Sequence, residues 1–349
     1  MLTIAPIAET PEAALVRALP AAPYLRRLHE TGVQGHWRDA LQAVREIPAD
    51  LPDAEAMAVM RKAKAQLHLS LAAEDLSGVL PVMGVTRALS EFAEESLEAA
   101  LRVSLARREL EGAGIFAVAL GKMGAYELNY SSDIDICVFY EPGVFMDGDF
   151  SAGETAQRIA RDLVRMMQEA TGDGYVFRTD LRLRPDPSST PLAVSTKMAD
   201  LYYESVGQNW ERMVWIKARP TAGDRAYAER FLKILQPFVW RRNLDYWALG
   251  DIQAIKRMIN SKVGSADLET VSPDVKLGPG GIREIEFFAQ TQQLILGGRQ
   301  PELRDNSTLG ALAALTGAGV VERATAEELE TAYLALRNLE HRVQMRRDE

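Results

Sequence analysis

Apolar and polar positions alternate with three rhythms along the 349 residues. Over 11–110 the rhythm is helical: 54–73 and 85–110 are rich in Ala, Leu, Met, Glu and Arg. Leu89, Phe92, Leu97, Leu101 and Leu105 recur on one helix face and are core candidates. Glu111-Gly112-Ala113-Gly114 breaks this rhythm and reads as a linker. Ile115 to Leu120 is then a continuous apolar run ended by Gly121, which predicts a strand buried on both faces and central in its sheet. The run Ser132 to Tyr140 has a period of two. It places Asp133, Asp135, Cys137 and Phe139 on one face and Ile134, Ile136, Val138 and Tyr140 on the other.

Further on, Ala156, Ile159, Ala160, Leu163, Val164 and Met167 repeat at helical spacing within 152–170, long enough for a crossover back to the sheet. Alternation returns over 175–185 (YVFRTDLRLRP) and predicts a strand with Arg178, Asp180, Arg182 and Arg184 on one face. Residues 185–193 read as loop, a helix is expected from about Thr196, and Asn209 is the expected N-cap of the next. From Gly223 the rhythm is helical again, over 224–240, 249–263, 282–296, 307–316 and 325–346.

Two carboxylates side by side on one strand face repel, and a cation is the usual remedy. Hard oxygen donors favour Mg2+, with Mn2+ as the alternative. If the crossover returns Asp180 beside Asp133 and Asp135, three carboxylates can hold two metal ions at roughly 3.5–4 Å for displacement at phosphorus. An exposed edge strand with solvated aspartates is the bland alternative, and the apolar residues interleaved between them argue against it. Gly121-Lys122-Met123-Gly124 suits close backbone approach to a phosphate but is also a plain turn. It is not a Walker A loop, because Met123 stands where Ser or Thr is needed. Lys217 and Arg219, at a predicted helix end, are within reach of phosphate, although such charges more often complement the helix dipole.

Composition narrows the field. A net charge of −9 argues against sequence-independent nucleic-acid binding. There is no basic segment before the first apolar residues and no apolar run long enough to span a bilayer, so no membrane role and a cytoplasmic location are expected. Cys137, the single cysteine, excludes an internal disulfide and reads as a buried thiol. His29, His36, His68 and His341 have no ligand spacing, so a zinc site is not expected.

The ordered motifs LGKMGAYELNYSSDIDICVFY, FRTDLRLRP, GQNWERMVWIKARP and KLGPGGIREIEFFAQ resemble the bacterial glutamine synthetase adenylyltransferase/adenylyl-removing enzymes, of the polymerase-β-type nucleotidyltransferase superfamily. The wording ELNYSSDID with GGIREIEF is similar to the N-terminal, adenylyl-removing copy. The resemblance implies an α+β fold: a mixed-sheet catalytic core at 112–220 between N-terminal helices (1–111) and a C-terminal helical domain (221–349) continuing in a longer parent. It implies catalytic and metal roles for Asp133, Asp135 and Asp180. Gly121, Lys122, Gly124, Ser131, Ser132, Arg178, Arg182 and Arg184 are the candidate nucleotide and phosphate ligands, and Arg283, Glu284 or Glu286 is expected to support the site. The implied activity is phosphorolysis of adenylylated glutamine synthetase, giving ADP, with PII signalling protein and glutamine as effectors. Adenylyl transfer from ATP and a silent PII-binding module are the alternatives.

Overall fold

The two apolar strands lie together at the centre of the molecule, and the helices are sorted to either side of them. The computed structural model describes residues 9–145, 151–242 and 275–347. Five helices come first: α1 (Pro11–Ala18), α2 (Pro23–Glu30), α3 (Trp37–Arg45), α4 (Asp53–Ser77) and α5 (Val82–Ala106). Then follow β1 (Ile115–Ala119), a single helical turn α6 (Gly121–Gly124), β2 (Ile134–Tyr140), α7 (Ala152–Gln168), β3 (Thr179–Asp180) and β4 (Ala193–Ser195). After them come α8 (Thr196–Ser205), α9 (Asn209–Trp215), β5 (Arg219–Gly223) and α10 (Arg225–Val239). The last described helices are α11 (Ile282–Leu296), α12 (Thr308–Gly317) and α13 (Arg323–Arg347). The helix expected at 249–263 lies outside the described residues.

The sheet is mixed, in the order β3-β2-β1-β5, with β1 antiparallel to both β2 and β5. β3 and β4 pair in turn with β2, both parallel to it. The period of two along β2 divides two cores as expected. Ile134, Ile136 and Val138 pack with the Leu89–Phe92–Leu97–Leu101–Leu105 stripe of α5 and with α7. Cys137 and Phe139 pack with Phe116, Val118, Tyr203, Trp215 and Phe231. Each large apolar side chain buried in this way contributes about 1.5–3 kcal/mol. The fold is therefore α+β, with a nucleotidyltransferase-like mixed sheet between helical layers and a C-terminal group of helices, α11–α13.

Two expectations change. The strand over 175–185 is only Thr179–Asp180, because residues 181–192 leave the edge of β2 as a loop and rejoin it as β4. Arg182 and Arg184 thus share no strand face with Asp180. Gln208, not Asn209, is the N-cap of α9, with Glu211 completing its capping box. Residue 220 lies inside β5, and the N-terminal helices share the core of the sheet.

Candidate active site

The crossover α7 does what its length predicts: it returns the chain parallel to β2, and the register places Asp180 directly beside Asp135. Asp133 immediately precedes β2. All three aspartates therefore reach one end of the sheet, where an open cleft of about 390 Å3 is walled in part by Asp133, Arg178, Asp180, Arg182 and Arg184.

Their surroundings differ. Asp133 is half-exposed and accepts a hydrogen bond from Arg178 Nε at 2.5 Å. Asp180 accepts from Arg182 Nε at 3.0 Å on each oxygen and from the Arg182 backbone N–H at 2.8 Å. These bonds hold the Asp180 carboxyl below its ordinary range, although partial burial opposes them. Among the described residues, Asp135 has no such arginine partner. Burial first, then the charges of Asp180 and Asp133, push it up to about 6.

Gly121 sits against this carboxylate. A Cβ there would lie 2.4 Å from Asp135 Oδ2, and its φ of +52° suits glycine. The glycine thus lets the chain pass Asp135 closely. Gly124 serves a backbone contact instead, since a Cβ there would meet the Lys217 carbonyl oxygen at 1.9 Å. The Ser131 carbonyl accepts from Arg178 Nη2 at 2.7 Å, and Ser132 Oγ accepts from the Asn129 N–H at 3.0 Å. Both serines shape the loop that delivers Asp133.

Two expected phosphate ligands are engaged elsewhere. The Arg184 guanidinium donates to the carbonyls of Leu181, Pro187, Thr190 and Pro191 and ties the 181–192 loop. Lys122 turns away from the cleft and donates to Glu340 Oε1 of α13 at 3.0 Å, where burial lowers its pKa to about 8. Lys217 and Arg219 are not phosphate ligands in this arrangement either. Lys217 is buried against Glu127 (2.8 Å) and Glu286 (3.2 Å), and Arg219 pairs with Glu94 (2.6 Å) and stacks on Tyr126. Of the three residues expected to support the site from 282–296, Glu286 does so indirectly, through Lys217. Glu284 accepts from the Gly280 N–H at 2.9 Å, a local turn contact. Cys137 is a buried thiol whose burial pushes its pKa up.

Glu127, Glu340 and Gln344 were not singled out in the sequence. Glu127 lies within the ELNYSSDID motif, in the loop before Asp133, and only the fold brings Glu340 and Gln344 to it from more than 200 residues further along the chain.

The donor set suits a hard divalent cation: three carboxylates, with a charge imbalance centred on half-buried Asp135. Among the described residues, no three acidic, His or Cys side chains already converge at ligating distance. Asp133 and Asp180 are turned onto their arginines. Both pairs are open to solvent on the arginine side, with Arg182 84% exposed, so exchange of an arginine for a cation needs no core rearrangement.

The profile of the Glutamate-ammonia ligase adenylyltransferase family matches residues 14–234, and that of the GlnD PII-uridylyltransferase family matches 253–349. Proteins named bifunctional glutamine synthetase adenylyltransferase/adenylyl-removing enzyme are similar over most of the chain. That of Rhizobium meliloti is 49% identical over 97% of this chain and 35% of its own length. Those of Caulobacter vibrioides and Agrobacterium fabrum are 49% and 51% identical, over 96% and 84% of this chain and 36% and 31% of their own. The chain thus spans about a third of the length of these relatives. With its mixed sheet, its three aspartates at one sheet end and these matches, the chain belongs to the glutamate-ammonia ligase adenylyltransferase family.

Proposed function

We propose that this chain removes AMP from an adenylylated tyrosine of glutamine synthetase by phosphorolysis, releasing ADP. The observation that carries the reading is the pairing of Asp135 with Asp180 on adjacent parallel strands, with Asp133 beside them and two exposed arginines at the cleft. Asp133, Asp135 and Asp180 are the residues that would hold Mg2+, or Mn2+ in its place. When bound, the metal supplies Lewis-acid polarisation at phosphorus and charge stabilisation of the leaving oxygen.

The chain's own contribution is charge and placement. Arg178 and Arg182 line the cleft beside Asp133 and Asp180 and would contact phosphate oxygens there if a cation held those carboxylates. They offset the repulsion between an anionic nucleophile and an anionic phosphodiester. A tyrosine phenolate, with its ordinary pKa of about 10, leaves without needing a positioned acid. The wording of the ELNYSSDID and GGIREIEF motifs favours removal over attachment of AMP. The names of the relatives contain both activities, so adenylyl transfer from ATP is the second reading. PII signalling protein and glutamine are proposed effectors, a reading supported by the match of 253–349 to a PII-uridylyltransferase profile.

The test is incubation with adenylylated glutamine synthetase, Mg2+ and phosphate. ADP is the expected product, and AMP transfer from ATP to unmodified glutamine synthetase is expected to be absent.

A further inference from the structure

The loop from Tyr126 to Ser132 carries the chain from the glycine turn to Asp133, and side chains from the C-terminal helices hold it. Glu127, fully buried, accepts from Lys217 Nζ at 2.8 Å and from the Thr308 N–H, at the start of α12, at 2.7 Å. Its carbonyl accepts from Arg337 Nη2 at 2.5 Å. Gln344 Oε1 accepts from the Ser131 N–H at 3.0 Å, and Glu340 Oε1 accepts from Lys122 Nζ at 3.0 Å. Arg337, Glu340 and Gln344 stand three and four residues apart on one face of α13.

That face is an expensive way to dock a helix. All three side chains are buried. Among the described residues, Arg337 Nε and Nη1, Glu340 Oε2 and the Tyr333 hydroxyl are buried with no hydrogen-bond partner, Arg337 Nε and Glu340 Oε2 facing each other at 3.9 Å. A buried ion pair is often no more stabilising than an apolar contact of the same volume. What the polar face adds is direction, since each bond is aimed at the catalytic loop. The shortest path to the site is a single contact: Gln344 holds the Ser131 N–H, two residues before Asp133 in the chain.

We infer that Gln344 and Glu340 are positioning residues for the reaction: α13 sets the placement of Asp133 and Asp135 by holding the Lys122–Ser132 segment from 200 residues away. The inference builds on the proposed metal and phosphorolysis reading, and its test separates the two. Mn2+ binding to the chain is titrated by electron paramagnetic resonance, with no reaction running. ADP formation, with separate kcat and KM for phosphate, and thermal unfolding are measured in parallel.

Gln344→Met keeps the volume but removes the acceptor. It is expected to weaken Mn2+ binding and lower kcat, each by about tenfold, with the phosphate KM little changed. Gln344→Glu, which keeps an acceptor oxygen for Ser131, is expected to recover most of both. Wild-type Mn2+ affinity and kcat in Gln344→Met, or a loss that Gln344→Glu does not recover, overturns the inference. If Gln344→Met does not fold, Glu340→Met, which removes the acceptor for Lys122, decides: a severalfold loss of Mn2+ affinity supports the inference and unchanged affinity overturns it. Absence of ADP from the wild type would defeat phosphorolysis while leaving the Mn2+ comparison intact.

Discussion

Two clusters of charge lie near each other at this end of the sheet and obey opposite rules. In the cleft, Asp133 and Asp180 are held by arginines that face solvent. Behind it, Lys217, Glu127 and Glu286 are buried together; burial alone would lower the Lys217 ammonium, but the two carboxylates outweigh it and hold its pKa up. Exposed pairs are weak and exchange partners easily, whereas breaking a buried pair strands a charge. The comparison teaches that the same residue types serve a replaceable role at the cleft and a fixed one behind it.

The sharpest way to break this comparison is at Asp135, the aspartate without an arginine. Asp135→Asn is expected to lower turnover by about 10^3-fold or more while the fold persists, since an amide is a poor ligand for a hard cation. Near wild-type turnover in Mg2+ would contradict the role given to the cleft. Next in size is the buried cluster. Lys217→Met leaves Glu127 and Glu286 without their cation and is expected to cost about 3–5 kcal/mol of stability, read by denaturant unfolding. A loss below about 1 kcal/mol would place Lys217 with the exchangeable charges.

A smaller effect separates two arginines that sequence alternation had grouped. Arg182→Ala is expected to raise the phosphate KM roughly tenfold without moving the unfolding midpoint. Arg184→Ala is expected to lower that midpoint, because four loop carbonyls lose their donor. If the two exchange these effects, the loop assignment is wrong.

The smallest effect is a pH dependence. The Asp135 carboxyl is raised from 3.8 to about 6 in the folded chain. Without metal its ionisation therefore costs stability as pH rises from near 4 to near 6, and the cost is constant above that. Metal-free Asp135→Asn is expected to gain stability over the wild type across that window and to keep the gain at neutral pH. Added Mg2+ is expected to remove the difference by stabilising the wild type alone.

What could be read from the sequence follows from how local each signal is. β1, β2 and α7 were legible because buried strands and a crossover helix write their periods directly in apolar residues. Asp180 beside Asp135 followed from the length of that crossover. The stretch Leu181–Arg184 misled because Leu-Arg-Leu-Arg imitates strand alternation, whereas the structure ties it into a loop through Arg184. β4 is too short to show a period, and β5 begins Arg219-Pro220, a poor advertisement for a strand. The partners of Lys122 and Lys217 were invisible for another reason. Glu340 and Glu286 lie 218 and 69 residues along the chain from them, and no local pattern reports a contact made across such separations.

The central claim is that the aspartate cleft transfers AMP from a tyrosine to phosphate. The most direct measurement supplies adenylylated glutamine synthetase, Mg2+ and isotopically labelled phosphate, and identifies the nucleotide released. The account predicts ADP carrying the label in its β-phosphate, and no release when phosphate is omitted. Free AMP released at the same rate without phosphate would show that water is the nucleophile and would contradict it.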